Sequence, residues 1–87
     1  MSRLEKLKRR LSEAPHKIRF DELARVLHDL GYAEVRSRGS HHLFRPVGPG
    51  PSVLIVKPHA GRSFCAEVDV RRVVALLEQQ ESSNEKE

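Results

Sequence analysis

Residues 33–46, AEVRSRGSHHLFRP, decide the fold of this chain. Residues 33–37 and 41–46 predict two short β-strands, because the helical spacing of apolar residues ends before Tyr32 and turn-forming residues bound each segment. The Arg-Gly-Ser segment at 38–40 predicts a tight turn between them. A connection this short makes the two strands antiparallel, so the stretch predicts a β-hairpin.

One further strand and three helices surround the predicted hairpin. The apolar run Val53-Leu54-Ile55-Val56 predicts a third strand, which Pro58 ends. Apolar residues spaced three and four apart predict helices at residues 3–13, at 21–30 and in a closing segment that ends near residue 80. The order α-α-β-β-β-α is typical of a two-layer α+β domain, in which helices cover one face of a three-stranded antiparallel sheet. The other face is expected to stay open to a ligand.

Length and composition allow one domain. The chain has 87 residues, of which 38% are hydrophobic, and can form a single modest core. This domain is expected to occupy residues 1–80, and the polar, acidic residues 81–87 are expected to form a disordered tail. The single cysteine, Cys65, has no partner for an internal disulfide, which favours a reducing compartment and a packing role.

Positive charge is concentrated near the N-terminus. The first 20 residues contain seven Lys and Arg, and the formal net charge of the chain is +4. A concentrated positive field favours a polyanionic partner such as nucleic acid, although a solvated basic helix explains the charge equally well. No apolar run approaches the roughly 20 residues that span a bilayer, so we expect a cytoplasmic protein with no membrane partner.

His41 is the candidate reactive residue. It lies at the start of the second predicted strand, near the arginines at positions 36, 38 and 45. A histidine side chain takes and returns a proton near neutral pH. Guanidinium groups match the geometry of phosphate. This cluster is therefore suited to hold a nucleic-acid backbone and to react with it.

The choice between His41 and His42 follows from the alternation of side chains across a strand. Phe44 is the natural core residue, so His42 is expected to lean toward the helices with it. His41 and Leu43 are then expected on the open face. A bulge near Gly39 or an edge position would change this register by one residue.

The remaining histidines have simpler interpretations. His16 lies in a linker and His28 on the polar face of a helix, where both are expected to be solvated. His59 follows the third strand and could approach the second strand from the side. A metal site is not expected, because His41 and His42 diverge on a strand and no Cys/His pair has ligand spacing.

A family resemblance covers roughly residues 18–78. The chain contains Leu-Gly-Tyr at 30–32, Arg-Gly-Ser-His-His-Leu-Phe-Arg at 38–45, a Pro/Gly turn, an apolar strand and Pro-His at 58–59. This pattern resembles that of the HicA toxins of prokaryotic toxin–antitoxin systems, in which a helix ending in Gly and an aromatic residue precedes a strand and a Gly-Ser-His turn. The resemblance implies a fold similar to the double-stranded-RNA-binding domain.

The resemblance also implies ribosome-independent cleavage of mRNA, with His41 as the catalytic residue and a HicB-type antitoxin as the neutralising partner. Two features depart from the family pattern. Residues 66–69, Ala-Glu-Val-Asp, stand where the family often has a Lys-Gly-Thr-like turn, and the basic helix at about 3–13 is additional to the shortest members. The residues expected to contact RNA beside His41 are Arg36, Arg38, Gly39, Ser40, Arg45, Lys57 and His59.

We therefore expect a metal-independent endoribonuclease with no cofactor, in which His41 accepts the proton of a ribose 2′-hydroxyl. His59 or water is expected to protonate the leaving oxygen. The alternative is a non-catalytic RNA-binding module that uses the same basic face. A third possibility is an adaptor whose open face docks another protein.

Overall fold

The computed structural model describes residues 2–59 and 61–85 and contains the predicted elements in the predicted order. The three strands form one antiparallel sheet with the order β1-β2-β3, and the helices cover one of its faces. The α+β fold is therefore confirmed. The elements are α1 (Arg3–Glu13), α2 (Phe20–Asp29), β1 (Tyr32–Arg38), β2 (His41–Pro46), β3 (Val53–Val56) and α3 (Glu67–Glu85).

The closing helix α3 is longer than the sequence predicted. It continues to Glu85 instead of ending near residue 80. Residues 81–85 contain neither proline nor glycine, so neither of the strongest helix breakers stops the helix there. The predicted tail also includes residues 86–87, which lie outside the described residues.

The hairpin turn between β1 and β2 consists of Gly39 and Ser40. Gly39 has a φ of +60°, the backbone conformation expected of the first residue in a type II′ turn, where glycine is favoured. Arg38 pairs with His41 across this turn. The Gly-Ser dipeptide therefore fixes the position at which His41 enters the sheet.

The core lies between the sheet and the three helices. Phe44 on β2 and Ile55 on β3 point toward the helices and are buried. They pack in one cluster with residues from every helix, including Leu11 of α1, Leu27 of α2 and Val73 of α3. All three helices pack on this side of the sheet. Among the described residues, no helix covers the opposite face.

The additional helix α1 is part of this core. Leu11 is fully buried and Leu7 is nearly so. Two ion pairs join α1 to α2: Lys8 contacts Asp29 at 2.6 Å, and Arg10 contacts Glu22 at 2.7 Å. The helix therefore extends the hydrophobic core, and part of its positive charge is neutralised within the fold.

Glu22 links α1 to the start of α2. Its carboxylate accepts a hydrogen bond from the backbone N–H of Arg19 at 3.0 Å, which satisfies one free donor at the helix N-terminus. Burial acts to raise the pKa of Glu22, but the hydrogen bond from Arg19 and the guanidinium of Arg10 outweigh it and lower the pKa below its ordinary value. Glu22 is therefore held in its charged form.

Side chains of α3 bind the outer edge of β3. The backbone N–H of Val56 donates to the carboxylate of Asp69 at 3.2 Å, and Arg72 donates to the carbonyl oxygen of Leu54 at 3.4 Å. Asp69 is only 5% exposed. An edge strand otherwise presents unpaired backbone groups, so these bonds anchor β3 beside the central strand.

Candidate nucleic-acid interface

His41 lies on the face of the sheet that the helices leave open. Its side chain is exposed, and its neighbours across the two strand pairings are Arg38 on β1 and Val56 on β3. Residues directly opposite each other on paired antiparallel strands project from the same face. The predicted position of His41 on the open face is therefore confirmed.

His42 points the other way, as predicted. Its ring lies against that of Phe20 on α2, with 4.7 Å between the centroids, and Nδ1 is 3.1 Å from a carboxylate oxygen of Glu34. Only 15% of its side chain is exposed. His42 therefore joins the sheet to the helical layer, and the sequence analysis did not identify its partners.

A β-bulge in β1 determines where two of the arginines project. Glu34 pairs with Phe44 and Arg36 pairs with Leu43, so Val35 between them has no partner on β2. In a regular strand, Arg36 would project from the same face as the buried Tyr32. The extra residue reverses the alternation and places Arg36 on the face that carries Leu43 and His41.

Four of the predicted residues thus share the open face: Arg36, Arg38, His41 and Arg45. All four side chains are exposed. Among the residues that the structure describes, none of these three arginines forms a salt bridge with a carboxylate. Their guanidinium groups are therefore available to a phosphate.

The open face also carries apolar side chains. Leu43 pairs with Leu54 of β3, and Leu54 is 42% exposed. Val35, at the bulge, is 54% exposed. Leu43 was expected to be exposed with His41, but it is half-buried because its strand neighbours cover part of it. An apolar strip therefore lies between the basic side chains.

Two of the predicted contacts, Lys57 and His59, lie beyond the end of β3. The ammonium of Lys57 is 5.6 Å from the centroid of the Phe20 ring, on the side of the sheet that carries the helices. His59 is exposed in the loop that follows β3. The backbone N–H of Lys57 nevertheless donates to the carbonyl oxygen of Ser40 at 2.7 Å, which ties the end of β3 to the hairpin turn.

The described residues contain neither a group of metal ligands nor a helix that could cross a membrane. Within residues 2–59 and 61–85, no group of three or more His, Cys, Asp and Glu side chains is arranged to hold a metal ion. No helix in the same ranges is long and apolar enough to cross a bilayer. The site is thus described by one exposed imidazole and three guanidinium groups on an open sheet.

These features define a class of protein: a small α+β domain with a basic, partly apolar sheet face that presents a histidine beside a Gly-Ser turn. The family model for the HicA toxin of bacterial toxin–antitoxin systems matches residues 20–64, slightly more than half of the chain. The chain therefore belongs to the HicA toxin family, which implies an antitoxin partner. No curated protein and no solved structure shows significant similarity to the chain.

The matched segment contains the whole hairpin and the third strand but not α1. The resemblance predicted from the sequence is confirmed at the level of the family. The matched residues also include every residue predicted to contact RNA, since these lie between Arg36 and His59.

Proposed function

We propose that this protein is a metal-independent endoribonuclease that cleaves mRNA on the open face of its sheet. The observation that carries the proposal is the exposed His41 directly opposite Arg38, with Arg36 on the same face. A base and two phosphate-binding groups then lie within one or two strand positions of each other. Membership of the HicA toxin family supports the same function.

In the proposed mechanism, neutral His41 accepts the proton of a ribose 2′-hydroxyl. The freed oxygen attacks the adjacent phosphorus, and the bond from phosphorus to the 5′ oxygen breaks. Arg36, Arg38 and Arg45 stabilise the charge that grows on the phosphoryl oxygens. The products are a 2′,3′-cyclic phosphate and a 5′-hydroxyl end.

The leaving 5′ oxygen takes a proton from water, to which the open face is exposed, or from His59 in the loop after β3. Every step is a proton transfer or a displacement at phosphorus, so the mechanism requires no metal ion or other cofactor. Gly39 and Ser40 contribute by holding His41 at the end of β2. Lys57 supplies positive charge after the end of β3, and its backbone N–H helps to hold the turn by donating to the carbonyl oxygen of Ser40.

We further propose that the antitoxin partner is of the HicB type and covers the face that carries His41. The apolar strip that includes Leu43 and Leu54 suits a protein partner, because burying exposed apolar surface favours association. Covering this face would exclude RNA from His41. RNA cleavage that continued at saturating antitoxin would contradict this placement.

The catalytic proposal is tested by the His41→Ala variant. Labelled single-stranded RNA is incubated with each protein in EDTA, and the products are separated on a denaturing gel. A positioned general base typically contributes about 10² to 10⁴-fold, so we expect cleavage by the variant to fall by about that factor. Circular dichroism should remain unchanged, because His41 is exposed.

The matched control is His16→Ala, which removes another exposed histidine and should leave cleavage unchanged. Undiminished cleavage by His41→Ala would contradict the assignment. The alternative of a non-catalytic RNA-binding module would be supported if the wild type left RNA intact but shifted its mobility in a salt-sensitive way.

A further inference from the structure

A small cavity lies at the end of β3, beside the face that carries His41. Its volume is about 210 Å³, and its lining includes Val56, Lys57, His59, Arg62 and Phe64. Phe64 is one of only four Phe, Tyr and Trp residues in the chain, and 41% of it is exposed. The cavity thus combines an accessible aromatic ring with His59 and Arg62, whereas the ammonium of Lys57 lies over Phe20.

The cavity is continuous with the proposed catalytic face. Val56, which lines the cavity, is the residue of β3 that pairs with His41. Paired strands lie about 4.8 Å apart, so the cavity begins one strand away from the histidine. The hydrogen bond from Lys57 to Ser40 holds the rim of the cavity against the hairpin turn.

The chemistry of the lining indicates the class of ligand. None of the residues that line the cavity is acidic. The guanidinium of Arg62 suits phosphate, and an exposed aromatic ring provides a surface on which a base can stack regardless of its sequence. The cavity is smaller than the roughly 300–1,000 Å³ of pockets for drug-sized ligands, so it suits a single base rather than a whole nucleotide.

We propose that this cavity is a nucleotide subsite, in which a base next to the cleaved phosphate stacks on Phe64 and its phosphate contacts Arg62. The inference rests on the proposed RNA-cleaving function and adds a positioning role to it. Binding of one flanking nucleotide aligns the ribose and phosphorus with His41. The subsite therefore contributes to RNA affinity separately from the chemical step.

The test uses the absence of tryptophan from this chain. The Phe64→Trp variant introduces the only indole, and a stacked base is expected to quench its fluorescence. The protein is titrated with a short single-stranded RNA in the His41→Ala background, so that the RNA stays intact. Saturable quenching is expected with this RNA, but not with an abasic oligomer of the same backbone.

The matched control is Val47→Trp. Val47 is 89% exposed and lies beyond the opposite end of β2, beside a cavity that has no Lys or Arg in its lining. RNA is expected to leave the fluorescence of this variant nearly unchanged. Equal quenching in both variants, or quenching of the Phe64→Trp variant by the abasic oligomer, would overturn the subsite.

A second measurement separates stacking from simple apolar contact. Fluorescence anisotropy of labelled RNA in the His41→Ala background should show about 5- to 150-fold weaker binding for Phe64→Leu. Binding should be retained in Phe64→Tyr, which keeps the ring. Equal affinity of the Leu and Tyr variants would overturn the proposal. Cleavage is measured separately on gels with protein that retains His41. Failure of the catalytic proposal is therefore distinguished from failure of the subsite proposal.

Discussion

Val35 is the extra residue of β1, lying where the pairing with β2 shifts between Glu34 and Arg36. The bulge at this residue places Arg36 and Arg38 on the same face as His41. Without it, the alternation that buries Tyr32 would direct both guanidinium groups toward the helical side. One extra residue in a strand therefore assembles the proposed phosphate-binding face.

Cys65 illustrates how tertiary packing changes the chemistry of one side chain. It is 4% exposed, and burial raises the pKa of its thiol to about 11, with a smaller contribution from the negative charge of Asp69. The thiolate is the nucleophilic form of cysteine. Cys65 therefore acts as a packing residue in the folded protein.

We predict that native Cys65 reacts slowly with a thiol reagent at pH 8 and reacts rapidly once urea unfolds the chain. The raised pKa also predicts a loss of stability in alkali. Below pH 9 the thiol is protonated in both states; between about pH 9 and 11 only the unfolded state releases the proton, so the free energy of unfolding falls with rising pH. The loss should total about 1 to 3 kcal/mol.

This prediction is checked by urea denaturation across that pH range in the wild type and in Cys65→Ala. The wild type should lose more stability than the variant as the pH rises, because only the wild type has the thiol. Identical pH dependence in the two proteins would show that Cys65 does not titrate as proposed.

At the scale of elements, α1 lies outside the segment matched by the family model but belongs to the same core. Leu11 is fully buried, and ion pairs from Lys8 and Arg10 join the helix to α2. The apolar face of α1 therefore packs against the core. That face stabilises the fold.

We predict that Leu11→Ala lowers the free energy of unfolding by about 2 to 5 kcal/mol, the range typical of a buried Leu replaced by Ala. Its effect on RNA cleavage per folded molecule should be small. Leu11 lies in the core on the helical side of the sheet, whereas His41 lies on the opposite face. The measurements are urea denaturation and a cleavage assay at a temperature where the variant is folded.

Ser12→Ala provides the control for Leu11→Ala, because Ser12 is the exposed neighbour on the same helix. Its substitution should change the free energy of unfolding by less than about 0.5 kcal/mol. A similarly small effect of Leu11→Ala would show that α1 is not packed against the core.

At the scale of the whole molecule, the two faces of the sheet have different roles. One face supports the hydrophobic core, and the other carries three guanidinium groups without carboxylate partners among the described residues. Several arginines elsewhere are paired, such as Arg71 with Glu67 at 2.6 Å. The open face is therefore the part of the sheet where positive charge remains available to an anionic partner.

We predict that Arg36→Gln weakens RNA binding and reduces the dependence of affinity on salt. Each phosphate contact on single-stranded nucleic acid contributes about 0.7 to the slope of log affinity against log salt. The slope measured by fluorescence anisotropy in the His41→Ala background should therefore become less steep by about 0.7.

Arg71→Gln is the matched control, because Arg71 lies on α3 and is already bound to Glu67. Its slope should equal that of the parent protein. If Arg36→Gln left the slope unchanged, or if both substitutions changed it equally, RNA would not be bound by the open face.

Local sequence was sufficient to predict much of the fold and part of the site. Apolar residues spaced three and four apart predicted α2, and the Gly-Ser turn predicted the hairpin. The alternation of side chains along β2 predicted that His41 and Phe44 point to different faces of the sheet. These signals operate within a few residues, so no knowledge of distant contacts was needed. The predicted end of α3 near residue 80 was wrong, because neither proline nor glycine follows there to stop the helix before Glu85.

Short-range patterns in the sequence predicted the order of elements, the hairpin with its exposed His41 and the HicA family. Tertiary structure alone decided that the bulge at Val35 redirects Arg36, that Lys57 lies over Phe20, and that Phe64 borders a cavity beside the strand partner of His41. The physical reason is the range of the interactions. Turns and strand alternation are set by neighbouring residues, whereas bulges, cavities and contacts between layers depend on how segments distant in sequence pack together.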